Sequence, residues 1–126
     1  MKRLQIVLVL GFLLLAVTAQ AQKVIDASPV EVHDYINTTT EKFLILDVRT
    51  IQEYSEGHIA GAEFFPVSAS SFKRSVFSLP KNVTYVVYCR SGNRSQHAKK
   101  IMKDAGLSLI HLDGGIRAWK RAGFSI

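Results

Sequence analysis

The spacing of hydrophobic positions changes character several times along the chain, and each change marks an element. Lys23-Val-Ile25 suits the start of a short strand. Ser28-Pro-Val-Glu31 then has the composition of a helix start: a capping serine, proline in the first turn, and a glutamate placed to close a capping box. That helix is predicted to run to about Asn37, and the polar stretch Thr38-Thr-Thr-Glu41 connects it to the next element. From Phe43 to Val48 the residues are apolar apart from Asp47, the pattern of a strand covered on both faces in a parallel sheet. Thr50 and Glu53 repeat the capping pattern for a short helix ending near Gly57.

His58-Ile-Ala-Gly61 reads as a turn, and residues 62–67 as a short strand that Pro66 confines to an edge or a strand end. Residues 68–79 are predicted helical, and Pro80-Lys-Asn82 breaks the chain before a second strong strand, Thr84–Tyr88. From Ser95, the spacing of Ala98, Ile101, Met102 and Ala105 gives a helical stripe that Gly106 ends. Leu109–Leu112 is a strand, Asp113-Gly-Gly115 a turn, and Ile116–Ala122 a final helix carrying Trp119. Strands and helices alternate throughout. The fold class is therefore α/β: an open, mostly parallel sheet of four or five strands with helices on both faces.

The N-terminus obeys a different rule. Lys2 and Arg3 precede an apolar run of 12 residues, Ile6–Val17, and small residues stand at Ala19 and Ala21. These are the three parts of a secretory signal, and cleavage is expected after Ala21. The competing reading is an uncleaved anchor, but the run falls short of the roughly 20 residues that span a bilayer. The expected division is a signal peptide over 1–21 and one domain over 22–126. Export is the expected fate, with a bacterial periplasm as destination and no stable membrane insertion once the signal is removed.

Cleavage removes two of 16 basic residues and leaves the 10 acidic ones, so the formal charge of the mature chain is +4. Placement of the charge matters more than its size. Between Cys89 and Lys103 stand Arg90, Arg94, Lys99, Lys100 and Lys103 with no carboxylate except beyond them at Asp104, a stretch that would draw a small anion. It lacks the interleaved aromatics of a nucleic-acid surface, so no nucleic-acid partner is expected. The single cysteine, Cys89, cannot form an internal disulfide. In an exported protein it is buried and inert, paired with another molecule, or chemically employed.

Its surroundings favour employment. Cys89-Arg-Ser-Gly-Asn-Arg-Ser95 lies beyond the carboxyl end of a buried strand and before a helix, where open α/β sheets bind ligands. Gly92 permits a tight turn in which successive N–H groups face one atom, and the helix adds its positive end. Such a cradle favours thiolate over thiol, with Arg90 and Arg94 expected to lower the thiol pKa further.

The chain resembles the single-domain rhodaneses. The resemblance is carried by Leu46-Asp-Val-Arg49, Glu53-Tyr54, Gly57-His-Ile-Ala-Gly-Ala62, the loop opening at Cys89, and Gly114-Gly115 with Ala118-Trp119 and Gly123. It implies a sulfurtransferase in which the Cys89 thiolate takes sulfur from a small anionic donor such as thiosulfate. The resulting persulfide then hands that sulfur to a thiophilic acceptor such as cyanide or a thiol. By position, Cys89 is the nucleophile, and Arg90, Ser91, Gly92, Asn93, Arg94 and Ser95 bind persulfide and substrate. No metal and no organic cofactor is implied.

Other readings attach to the same residues. A related phosphatase chemistry would also use a cysteine in an anion cradle, but such loops have five residues between cysteine and arginine, where Cys89 and Arg94 have four. A non-turnover sulfur carrier or thiol relay, exchanging with a protein thiol partner through Cys89, remains the alternative of a different class. Asp47, Arg49 and His58 are read as supporting residues: the first two pair or hydrogen-bond to hold adjacent loops, and His58 braces its turn. His33, His97 and His111 are scattered without metal-ligand spacing, and Lys99, Lys100 and Lys103 read as a solvated helix face.

Overall fold

In the computed structural model, residues 21–126 are described, so the predicted signal segment lies outside the described residues apart from Ala21. The element order is β1 (Val24–Ala27), α1 (Pro29–Thr38), β2 (Phe43–Asp47), α2 (Ile51–Glu56), β3 (Glu63–Phe64), α3 (Phe72–Phe77), β4 (Thr84–Tyr88), α4 (Asn93–Asp104), β5 (Ser108–Leu112) and α5 (Gly115–Arg121). The strands form one sheet in the order β1-β5-β4-β2-β3. Every pairing is parallel. The expected mostly parallel sheet is thus wholly parallel, with five strands.

Alternation along the strands divides the core in two. Leu46, Val87 and Leu109 face α3 and α4, packing with Phe72, Val76, Ala98 and Met102. Ile45, Val86, Ile110 and Leu112 face the other way, onto Val32 of α1 and Ile116 and Trp119 of α5. The continuous apolar runs at β2 and β4 are the direct consequence, since a strand covered on both faces has no solvent side on which to place polar residues.

Both sequence-predicted capping boxes form. Ser28 accepts the Glu31 N–H while Glu31 accepts the Ser28 N–H, and Thr50 and Glu53 do the same. Three elements differ from expectation. The strand expected over 62–67 shrinks to two residues: the Phe65 N–H still donates to the Asp47 carbonyl, but the Val67 N–H goes to the Val48 carbonyl, out of the alternating ladder, and the chain turns at Pro66, with the Ala69 N–H on the Pro66 carbonyl. The helix expected over 68–79 is only α3, whose N-cap Ser71 makes no side-chain capping bond. Helix α4 begins at Asn93, two residues before Ser95, because Gly92 adopts φ +111° and turns the chain directly into it.

Candidate functional site

The strand order places β4 at the middle of the sheet, and Cys89 comes directly after its last residue. The thiol is buried, the residue being 1% exposed. Its sulfur accepts the Gly92 N–H at 3.1 Å and the Ser95 hydroxyl at 3.2 Å. Burial alone pushes this thiol's pKa up. The Ser95 hydroxyl, then the N–H groups of Ser95, Gly92 and Ser91, more than offset that, and the pKa lies below its ordinary value.

The outward side of the loop is fixed by the last helix. The N–H groups of Ile116 and Arg117 donate to the carbonyls of Cys89 and Arg90 at 2.9 and 3.1 Å, so those carbonyls are held by α5. The close approach needs Gly115, at φ +61°: a Cβ there would stand 2.5 Å from both carbonyl oxygens, and the obstacle is backbone. The glycine pair of the 113–115 turn therefore does more than end a strand. It docks a helix N-terminus on the loop.

The two loop arginines behave differently from the sequence expectation. Arg94 makes a bidentate pair with Glu53, at 2.6 and 2.9 Å, so most of its charge is matched by a carboxylate from α2. That pairing holds the Glu53 carboxyl down at about 2. Lys99 pairs with Asp26 of β1 at 2.9 Å. Two of the five cations of the basic stretch are thus neutralised by acids from distant parts of the chain, and the lowering of the thiol pKa rests on hydrogen bonds before guanidinium charge. Arg90 is exposed and lines a cleft of about 360 Å³ beside the loop, together with Arg117, Lys120 and Glu56. Positive charge gathers in this cleft. Ser91 and Asn93 are exposed, while Gly92 and Ser95 are buried.

Asp47 and Arg49 form a closed buried cluster at the end of β2. Asp47 accepts from the Arg49 backbone N–H at 3.0 Å, from Arg49 Nη2 at 2.7 Å and from the Tyr88 hydroxyl at 2.7 Å. Arg49 Nη2 also reaches the Gly57 carbonyl at 2.7 Å, and Tyr88 accepts the Ile59 N–H at 3.1 Å. The cluster ties the end of β2, the last residue of β4 and the turn at residues 57–61 together. His58 stacks on Tyr54 at 3.8 Å, with Nδ1 2.9 Å from the Tyr54 carbonyl oxygen.

Sequence reasoning misses one residue. His111, which reads in the sequence as a scattered histidine, is 1% exposed, and its Nε2 lies 2.6 Å from the Ser95 hydroxyl that touches Cys89. Only the alternation of β5 carries a signal, since it puts residue 111 on the same face as Leu109, under α4. Among the described residues, Asp26, His111 and Asp113 also bring one ligand atom each within 4.8 Å of one another, but the Lys99 ammonium already sits on Asp26.

The family model of the rhodanese-like domain matches residues 28–122. The chain belongs to the rhodanese-like family. Its relatives include a sulfurtransferase of Allochromatium vinosum, 38% identical over 88 residues, which span 69% of this chain and 80% of that one. Another is the probable adenylyltransferase/sulfurtransferase MoeZ of Mycobacterium tuberculosis, 38% identical over 104 residues. Those residues cover 82% of this chain, which spans only 26% of the length of MoeZ. Among solved structures, the rhodanese-related protein of Thermoplasma volcanium has a TM-score of 0.69 at 27% identity, over 79% of this chain and 94% of that one. Within this rhodanese-like domain, Cys89 and its loop stand at the carboxyl edge of the sheet.

Proposed function

We propose that this rhodanese-like domain is a sulfurtransferase that carries sulfur as a persulfide on Cys89. The observation behind this reading is the convergence of the Gly92 N–H and the Ser95 hydroxyl on one buried sulfur. Donors arranged in that way favour a thiolate and would equally hold the negative charge of a persulfide.

With thiosulfate as donor, the Cys89 thiolate attacks the outer sulfur. A new S–S bond forms, the bond to the sulfonate group breaks, and sulfite leaves with the electron pair. A nucleophilic acceptor, cyanide or a thiol, then attacks the outer sulfur of the persulfide, and the Cys89 thiolate is returned. Arg90, with Arg117 and Lys120 in the adjacent cleft, supports attraction of a small anionic donor. The acceptor is a small thiophile or the thiol of a partner protein. Export to a periplasm belongs to the same proposal and rests on the signal-like N-terminus; among the described residues, no helix is long and apolar enough to cross a membrane.

Intact mass before and after thiosulfate tests the chemistry. Wild-type protein should gain about 32 Da, one sulfur atom, and lose it again to cyanide, while Cys89→Ser should do neither. A folded, reduced wild-type protein that never gains that mass would sink the thiosulfate mechanism.

A further inference from the structure

The Ser95 hydroxyl has one proton and three acceptors within reach. Cys89 Sγ lies at 3.2 Å, the Gly92 carbonyl at 3.1 Å and His111 Nε2 at 2.6 Å. A hydroxyl donates to one partner at a time and accepts from others. If Nε2 is bare, the short contact takes the proton of Ser95 and the sulfur loses it. If Nε2 carries a proton, the ring donates to the Ser95 oxygen and the hydroxyl is released to the sulfur or the Gly92 carbonyl, of which a thiolate, as the charged acceptor, makes the stronger bond. The serine bond that stabilises a thiolate on Cys89 therefore requires a proton on His111 Nε2.

The other ring nitrogen says which protonated form fits. Nδ1 is buried without an aligned hydrogen bond, 3.1 Å from a carboxylate oxygen of Asp26 and 3.5 Å from one of Asp113. A bare nitrogen lone pair against two carboxylates is repulsive, so a neutral ring with its proton on Nε2 is disfavoured. A ring protonated at both nitrogens satisfies both sides. Register sets this placement: Asp26 and His111 are partners in the parallel pairing of β1 with β5. The charged groups around the ring are Asp26 from β1, Asp113 from the turn after β5, Lys99 from α4, and Cys89 at the end of β4 through Ser95. Lys99 opposes an imidazolium, but both of its contacts, at 2.9 and 3.0 Å, are spent on Asp26.

We propose that His111 is a positioning residue that takes the proton of Cys89 through Ser95, giving a thiolate and an imidazolium held apart by one hydroxyl, with Asp26 behind the ring. The S–H bond of Cys89 breaks and its proton passes to the Ser95 oxygen. The original Ser95 O–H proton passes to Nε2, and the renewed hydroxyl donates to the sulfur it has just deprotonated. No oxidant or further reactant is needed. The proposal rests on Cys89 being the working nucleophile, but its test requires no sulfur donor.

The test is a pair of titrations. Thiolate absorbance of Cys89 is followed against pH in the wild type, His111→Gln and Ser95→Ala, and the imidazole resonances of His111 are followed by NMR in the wild type and Cys89→Ser. Losing His111 or Ser95 should raise the thiol pKa by about one unit, roughly tenfold less thiolate at a given pH below it. Losing the thiolate should lower the His111 midpoint, since a coupling between two sites acts in both directions. Unchanged midpoints in both experiments overturn the relay. Should His111→Gln fail to fold, the histidine titration in Cys89→Ser, a single-atom exchange at the sulfur, decides alone. A Cys89 that titrates jointly with His111 yet never gains sulfur would instead overturn the sulfurtransferase reading and leave the relay standing.

Discussion

Two buried polar sites lie at the carboxyl ends of adjacent strands, one after β2 and one after β4, and they handle negative charge in opposite ways. At the first, the Asp47 carboxylate meets a full counter-charge: Arg49 grips it with backbone, Nε and Nη2, and the Tyr88 hydroxyl takes what remains. At the second, the hydrogen bonds to the Cys89 sulfur come from neutral donors, the Gly92 N–H and the Ser95 hydroxyl. A carboxylate saturated by a guanidinium and two further donors has nothing left to offer a substrate, so its work is to hold loops in place. A sulfur stabilised by partial charges keeps its reactivity, because no fixed counter-ion is bonded to it. The difference separates scaffold from chemistry within one edge of one sheet.

Asp47→Ala attacks the scaffold side directly and should have the largest effect. It leaves the Arg49 guanidinium buried without its carboxylate and removes the acceptor of the Tyr88 hydroxyl, whose pKa burial, with the Asp47 hydrogen bond second, pushes far above the usual phenol value. Removing one member of a buried pair typically costs about 3–5 kcal/mol, a large part of the roughly 5–15 kcal/mol that holds a domain of this size folded. Urea denaturation should show that loss for Asp47→Ala, and less than about 1 kcal/mol for Cys89→Ser, which keeps shape and removes only modest hydrogen bonds. Equal, small losses at both positions would mean that the cluster after β2 is not the scaffold described.

A smaller effect is expected at Arg94, on the chemical side. Part of the rise in the Arg94 pKa comes from charge on Cys89, so the guanidinium and the sulfur do sense each other, but the Glu53 hydrogen bond is the larger cause. Arg94→Ala should therefore raise the thiol pKa by less than Ser95→Ala does, with thiolate absorbance against pH as the readout. A shift as large as that of Ser95→Ala would mean that guanidinium charge, and not the hydrogen bonds of the loop, stabilises the thiolate.

The same contrast explains what is legible in the sequence. The continuous apolar runs at β2 and β4, the two capping boxes and the Cys89 loop are local patterns, and local patterns survive being read in one dimension. The supporting pair Asp47 and Arg49 is also readable, because two residues apart at a strand end they can meet without the rest of the fold. The partners of the basic stretch are not. Glu53 reaches Arg94 across 41 positions and Asp26 reaches Lys99 across 73, so the cations look unpaired only because their acids arrive from other elements. His111 is hidden for the same reason: its meaning depends on the parallel register that sets it beside Asp26 and beneath Ser95. The overestimates at residues 62–67 and 68–79 have a local cause, since Pro66 and the uncapped Ser71 shorten elements whose apolar content alone suggests more.

The smallest expected effect belongs to the Glu53 and Arg94 pair, which is the charge-matched arrangement of Asp47 transferred to a partly exposed position. The Glu53 carboxyl is held at about 2 against an ordinary 4.5, chiefly by the Arg94 hydrogen bond. A carboxyl depressed in the folded state contributes stability above the unfolded value and gives it up as pH falls through the folded one. The contribution should thus be complete above pH 4.5 and fade between 4.5 and about 2. Arg94 is 39% exposed and Glu53 25%, so solvent screening limits the whole effect to about 1 kcal/mol or less. The stability difference between wild type and Glu53→Gln, measured by denaturation across that range, should shrink toward zero as the pH falls. A difference that stays constant would mean that the charge on Glu53 carries none of the cost, since glutamine keeps an oxygen for the Thr50 N–H, leaving the Asp47 cluster as the place in this sheet edge where a matched charge holds the fold.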